Sequence, residues 1–169
     1  MTAKAPAMVY LGLGTNLGDR AENLRQALSL LGEKVRIERT SAFYDTEPVG
    51  YVDQPRFLNA ACRGQTGLNP EQLFRFVKRI ESGMGRAPTF RNGPRIIDID
   101  ILFYDDLVLS TPMLEIPHPR LAERVFVLAP LAEIAPDFVH PVLKQSMAEL
   151  LRKCNRETGS AGEIRPHVA

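Results

Sequence analysis

Hydrophobic positions change their period several times along the chain, and each change marks an element. The run "AMVYLGLG" (7–14) is apolar almost throughout and predicts a buried first strand. Asp19, with Glu22 three residues later, opens a helix carrying Leu24, Ala27, Leu28 and Leu31 at helical spacing, with Gly32 at its end. The stretch "KVRIERTSAFYDT" (34–46) alternates and predicts a second strand, and "RFLNAACRG" (56–64) predicts a third. Asn69-Pro70 supplies an N-cap and a first-turn proline ahead of Leu73, Phe76, Val77, Ile80 and Met84, again at helical spacing. Residues 95–104 return to period two: Ile97, Ile99, Ile101 and Phe103 point to one face, Asp98 and Asp100 to the other.

The order β-α-β-β-α-β predicts an α+β fold: a ferredoxin-like antiparallel sheet with helices packed on one face. The C-terminal additions are a short strand, the loop "PHP" (117–119), a helix beginning near Leu121 and a further helix over 143–153. No repeat or linker divides residues 1–169, which make one domain; residues 1–6 and about 155–169 are expected to fray. Two connections are rich in Gly and Pro, "EPVGYVDQP" (47–55) and "GRAPTFRNGP" (85–94), and loops of that length are often functional.

Composition narrows the function mainly by exclusion. A formal net charge of +1 gives no global bias toward nucleic acid or membrane, so charge must act locally. No apolar run approaches a membrane span and the N-terminus lacks a signal-peptide plan, which points to the cytoplasm. Cys62 and Cys154 have no metal-ligand spacing and read as free thiols, and His118, His140 and His167 form no zinc motif.

The chemistry begins with the two acids. Carboxylates about 6 Å apart on one strand face repel by roughly 3 kcal/mol at an effective dielectric of 20. Such a pair can grip one Mg²⁺ or bridge two, with phosphate oxygens completing the shell. An edge strand with acids on its solvent face would give the same pattern. From Glu71 to Arg95, however, six basic residues (Arg75, Lys78, Arg79, Arg86, Arg91, Arg95) outnumber two acidic ones (Glu71, Glu81). Arg75 and Arg79 read as a solvated helix face, whereas Arg86 and Arg95 flank the second loop. Arginines beside paired carboxylates suit a metal–polyphosphate substrate. If Leu58, Ala60 and Cys62 face the core, Phe57 and Asn59 face the aspartates' side, where an aromatic and an amide suit a flat heterocycle. "GLGTNLGD" (12–19) is not a dinucleotide or P-loop motif, since Leu17 stands where a glycine is needed. Gly12 and Gly14 instead predict close backbone approach at the strand end, with Asn16 and Gly18 turning into the helix.

Together, "SAFYDTEPVGYVDQPRFLNAA" (41–61), "RIESGMGR" (79–86), "GPRIIDIDIL" (93–102) and "IPHPRLAERVFVLAPLAEIAP" (116–136) resemble the 6-hydroxymethyl-7,8-dihydropterin pyrophosphokinase family. "GLGTNLGD" corresponds to that family's opening Gly-Ser/Thr-Asn segment. The resemblance implies a ferredoxin-like monomer that moves pyrophosphate from ATP to the pterin hydroxymethyl group, releasing AMP, in folate synthesis. It implies two Mg²⁺ ions on Asp98 and Asp100, and charge neutralisation during transfer by Arg86 and Arg95. Phe57 and Phe126 would sandwich the pterin, with Asn59 reading its edge and Thr46 and Val49 assisting. Lys78, Glu81, Arg91, Ile101, His118 and Arg124, with Arg86 and Arg95, fall at nucleotide-side positions, and Asp100 is also a candidate to take the hydroxyl proton. The sequence departs from the family at Asn92, where many members carry an aromatic, at Lys78, elsewhere an amide, and in a slightly shorter 85–93 loop. The rival readings are another DxD nucleotidyl or phosphoryl transferase, which lacks a convincing third carboxylate here, and an RNA-recognition sheet. Acids on the open face would repel RNA, and the aromatic pattern of that module is absent.

Overall fold

The computed structural model describes residues 5–48, 53–85, 94–158 and 164–166. Its sheet grows outward from β1 (Ala7–Thr15). One side of β1 pairs antiparallel with β4 (Phe57–Thr66) and the other with β5 (Asp98–Tyr104). On the far edge of β4 lie β2 (Val35–Thr40) and β3 (Tyr44–Thr46), one after the other. Strands β5, β1, β4 and the β2/β3 edge thus keep the spatial order and antiparallel pairing expected of the ferredoxin-like layer. Among the described residues, no helix is long and apolar enough to cross a membrane.

The stretch 34–46 is two strands rather than one. Ser41 is buried and stands in for the ladder, its N–H donating to Ala61 O at 2.8 Å and its Oγ accepting from Ala61 N at 2.9 Å. The chain then leaves β4, because the N–H of Ala42 turns to the Glu133 carboxylate at 3.0 Å. Strand β5 likewise starts at Asp98 rather than 95, the backbone of Arg95 being engaged by Asn16 through two hydrogen bonds. Phe103 also departs from the expected face. The β1–β5 register skips Leu102, so Leu102 and Phe103 point the same way and Tyr104 takes the place expected of Phe103.

That bulge divides the core in two. Val9, Leu11 and Leu13 of β1, with Ile97, Ile99 and Ile101, pack against α1 (Arg20–Leu31) and α2 (Pro70–Gly83). Both helices are capped as read: Asp19 Oδ1 accepts from Glu22 N at 3.2 Å, and Asn69 and Gln72 form a reciprocal capping box. On the opposite face Tyr10, Ala61, Leu102 and Phe103 pack under α3 (Val125–Ile134) and α4 (Met147–Thr158). The C-terminal additions therefore cover half of the second face. Cys62 and Cys154 lie in the two different cores, and neither forms a disulfide.

The C-terminal elements shift from their predicted bounds for local reasons. Leu121–Glu123 is a 3₁₀ turn, and extended Arg124 resets the chain before α3 begins. Residues 140–145 form a turn closed by His140, whose Nδ1 accepts from Val142 N and Leu143 N at 3.1 and 3.0 Å. Helix α4 then starts from a Ser146/Glu149 capping box and runs to Thr158. A two-strand hairpin, β6 (Leu109–Ser110) and β7 (Glu115–Ile116), stands where one short strand was expected. Residues 164–166 form β8, which pairs with β3, so part of the C-terminal stretch expected to fray joins the sheet edge.

Gly64 marks the tightest packing between strands. A Cβ there would lie 2.6 Å from Arg36 O and 2.8 Å from Val35 Cγ1. Backbone cannot swing aside as a side-chain tip can, so Gly64→Ala should destabilise the fold by about 1–3 kcal/mol. Urea unfolding should show a lowered midpoint at unchanged slope.

Candidate active site

The open half of the second face is a hollow dictated by strand register. Opposed residues on antiparallel neighbours point to the same face. One row across the sheet is Asp98, Gly14, Asn59 and Tyr44, and the next is Asp100, Gly12 and Ala61. The middle position of each acidic row is glycine, so β1 offers a bare floor with the acids on one side and Asn59 on the other. Two strand spacings, about 10 Å, separate those walls. The resulting cavity is about 250 Å³. Its lining includes Thr46, Phe57 and Asn59 from β3 and β4, Arg95, Asp98 and Asp100 at β5, and His118, Arg124 and Phe126 leading into α3.

Both floor glycines sit against neighbouring side chains, Gly14 the more tightly. A Cβ on Gly14 would stand 2.7 Å from Asn59 Oδ1, and one on Gly12 would stand 3.3 Å from Leu102 Cδ1. Gly14 therefore leaves room for the amide of Asn59, which is buried and bonded through Nδ2 to Thr46 Oγ1 at 2.6 Å. Gly18 makes the turn into α1 at φ +69°, whereas Asn16 is engaged with the backbone of Arg95.

The acidic wall is electrostatically loaded. Burial, and then the negative charge of Asp98, push the Asp100 carboxyl up to about 7, with Lys78 and Arg124 pulling the other way. Arg95 Nη1 stands 4.0 Å from Asp98 Oδ1. His118 is held neutral, its pKa lowered to about 4 by burial and then by Arg124. Its Nδ1 accepts from Arg120 N at 3.3 Å, so the neutral ring carries its proton on Nε2 and is a donor there. Among the described residues no group of three or more His, Cys, Asp or Glu could hold a metal ion unaided. Two hard oxygen donors fit a Mg²⁺ that arrives with phosphate oxygens.

On the opposite rim, burial raises the pKa of Asp45, but hydrogen bonds and charge from Arg56 and Arg20 outweigh it and hold the carboxyl below its usual range. Arg20 also donates to Arg56 O at 3.1 Å, so the start of α1 is tied to β3 and the entry of β4.

Three predicted site residues lie off the cavity. Glu81 is buried on α2, only 2% exposed. Its Oε2 accepts from Ile99 N at 2.8 Å and its Oε1 pairs with Lys78 Nζ at 3.0 Å. Strand β5 is a sheet edge among the described strands, and Glu81 caps the outward N–H lying between the two aspartates. Lys78 stands over the Phe74 ring at 5.4 Å as well. The side chain of Ile101 is buried in the helix-side core, although strand periodicity puts its backbone on the same outward edge as Ile99. Arg75 and Arg79 are exposed, as a solvated face requires. Val49, Arg86, Arg91 and Asn92 lie outside the described residues. Glu47, Leu102 and Val127 line the cavity without having been singled out in the sequence, and no residue-type pattern marks them.

Comparison with known proteins agrees with this architecture. A family model described as 7,8-dihydro-6-hydroxymethylpterin-pyrophosphokinase (HPPK) matches residues 10–136. The chain is 49% identical over 136 residues to the folic acid synthesis protein FOL1 of Dictyostelium discoideum, covering 80% of this chain and 21% of that protein. It is 42% identical over 143 residues to the 2-amino-4-hydroxy-6-hydroxymethyldihydropteridine pyrophosphokinase of Aquifex aeolicus, covering 85% of this chain and 89% of that one. The chain thus spans about a fifth of the first relative and most of the second. The crystal structure of wild-type Plasmodium falciparum HPPK-DHPS with pterin and p-hydroxybenzoate superposes with a TM-score of 0.75 at 20% identity, over 95% of this chain and 44% of that one. At that identity the likeness is one of fold.

The cap on β5 gives a direct expectation. Glu81→Ala leaves the Ile99 N–H buried without an acceptor and should cost about 1–3 kcal/mol in urea unfolding. Glu81→Gln keeps an acceptor oxygen and should recover most of that loss.

Proposed function

The chain belongs to the 7,8-dihydro-6-hydroxymethylpterin-pyrophosphokinase family, and from that premise we propose that it transfers pyrophosphate from ATP to the hydroxymethyl group of 6-hydroxymethyl-7,8-dihydropterin, giving the pterin diphosphate and AMP in folate biosynthesis. The observation that carries the proposal is the two-walled cavity. Paired carboxylates and basic groups face an amide and aromatic rings across a floor without side chains.

On the β3/β4 side, Asn59 offers both a donor and an acceptor to the polar edge of a pterin, and its bond to Thr46 limits how far the amide can turn. Phe57 and Phe126 supply flat apolar surface for the ring faces, and Val49, three residues after Thr46 in the sequence, assists. On the β5 side, Asp98 and Asp100 would hold two Mg²⁺ ions with the nucleotide, which would supply screening of the phosphate charge at that wall. Arg95 and Arg124 supply guanidinium groups for phosphate oxygens, and neutral His118 supplies an N–H without adding charge. Arg86 and Arg91 belong to the basic segment before β5 and assist on the nucleotide side. Lys78 and Glu81 support β5 from behind, while Ile101 meets the nucleotide through its backbone.

Chemistry then rests on placement. The hydroxymethyl oxygen must attack the β-phosphorus in line with the departing AMP, and a pterin fixed at Asn59 lies across the floor from phosphates fixed at β5. Arg95, held by its backbone, can meet charge that grows in the transition state without rearranging. The chain acts on these two small molecules as a cytoplasmic monomer.

Incubating the protein with ATP, Mg²⁺ and hydroxymethyl-dihydropterin should release AMP and no ADP. Asp98→Ala and Asp100→Ala should abolish that release, and Arg95→Ala should lower turnover about 10²-fold or more with smaller changes in substrate affinity. ADP as product, or near-normal turnover in either aspartate variant, contradicts the reading.

A further inference from the structure

Behind the wall that carries Asn59, on the other face of the sheet, Arg20, Asp45 and Arg56 form an ionic cluster, and none of them lines the cavity. Asp45 opposes Leu58 of the helix-side core, whereas its neighbour Thr46 faces the cavity. Arg20 Nη2 donates to Asp45 Oδ2 at 3.2 Å, and its Nη1 donates to Arg56 O at 3.1 Å. Arg56 Nε donates to Asp45 Oδ1, and its Nη2 donates to Asp45 O at 3.3 Å. Its Nη1 stands 3.7 Å from Glu47 Oε1. The side chains of Arg20, Asp45 and Arg56 are 25%, 15% and 29% exposed, so water screens these bonds less than it would a surface pair.

The residues gripped are those adjoining the proposed pterin contacts. Asp45 and Glu47 flank Thr46, and Arg56 directly precedes Phe57. Strand β3 is only three residues long and Thr46 is its last, so the ladder alone holds that residue weakly. Yet Thr46 Oγ1 stands 2.6 Å from Asn59 Nδ2, and that bond sets which way round the amide lies. A slide of Thr46 by about 1 Å forfeits the bond. The Asn59 amide could then turn over, exchanging donor for acceptor at the cavity. One guanidinium on each carboxylate oxygen fixes both the position and the plane of the Asp45 group, and so opposes that slide.

Resting on the pyrophosphokinase reading above, we propose that Arg20, Asp45 and Arg56 are positioning residues for the pterin. They form a clasp behind the sheet that keeps Thr46, and through it the Asn59 amide, aligned with the edge of the ring. The clasp touches neither substrate. It acts on the pterin side alone, because its bonds join α1, β3 and the entry of β4 and none reaches β5.

The test separates the two substrates. A non-hydrolysable ATP analogue with Mg²⁺ is titrated calorimetrically into wild type, Asp45→Asn and Arg20→Lys, and hydroxymethyl-dihydropterin is then titrated into each saturated protein. Asp45→Asn should weaken pterin binding by about 10–100-fold and leave the analogue within about 2-fold of wild type. Arg20→Lys keeps a cation at this corner and loses only the fork that reaches two acceptors, so it disturbs folding least. It should weaken pterin by about 3-fold or more. In turnover, the KM for pterin should rise while kcat stays within about 3-fold of wild type. Thr46→Val supplies a readout that a merely structural role would not move. Without the hydroxyl the clasp has nothing to align, so adding either substitution to Thr46→Val should weaken pterin by less than about 2-fold further. Undiminished pterin affinity in either single variant overturns the proposal, as do equal losses in both titrations or a full loss on top of Thr46→Val. AMP release by wild type keeps the two ideas apart. Without AMP the enzyme reading fails and the clasp with it, whereas AMP with pterin affinity unchanged in the variants refutes the clasp alone.

Discussion

The repulsion between Asp98 and Asp100 is the interaction around which the rest is arranged. Alternation on β5 puts both carboxylates on one face, and burial with mutual repulsion makes the second of them reluctant to ionise. Lys78 and Arg124 lessen that penalty, and Arg95 stands near Asp98, yet none of them removes it. The strand must therefore be held from elsewhere. Its other face is buried with α1 and α2, its inner edge is paired with β1, and its outer edge is capped by Glu81 between the two acids. A carboxylate pair kept against its own repulsion, on a strand supported from three sides, fits the cation-holding role proposed for it.

The same register shapes the hollow proposed for the second substrate. With glycine at 12 and 14, the central strand contributes backbone alone to the open face, and the walls rise from its neighbours. Side chains there would fill the hollow, and at Gly14 one would push Asn59 out of its bond with Thr46. The bulge at Leu102 ends the hollow at its lower side. It turns Leu102 and Phe103 together into the core under α3 and α4, so half of this face is covered and half stays open.

Much of this was legible before the fold was known. Period-two alternation exposed the acid pair, the faces of Phe57 and Asn59 followed from their neighbours, and the capping signals at Asp19 and Asn69 located both core helices. What escaped was whatever depends on a partner distant in sequence. The face of Phe103 depends on a register skip opposite Tyr10, and the break at Ser41 depends on Glu133 drawing Ala42 away. The work of Asn16 depends on Arg95 and Pro55, so the residue reads locally as a turn former. Glu81, aligned with nucleotide contacts by resemblance, is occupied by a strand N–H that helical spacing does not show. By contrast, the start of α4 was available in the Ser146/Glu149 pair, a short-range capping signal that the apolar pattern of 143–153 overshadowed.

The central claim is that the acid pair burdens the fold and serves a ligand. It is tested most directly by urea unfolding of the ligand-free protein and its Asp100→Asn variant across pH. A carboxyl whose pKa is raised on folding supports the fold fully only below its unfolded value and loses that support as pH rises through the folded one. The variant should therefore be the more stable protein above pH about 7, and the gap should close as pH falls toward about 4. A wild type that equals or exceeds the variant in stability at pH about 8 would contradict the account, because the two carboxylates would then be stabilising the fold they are held to strain.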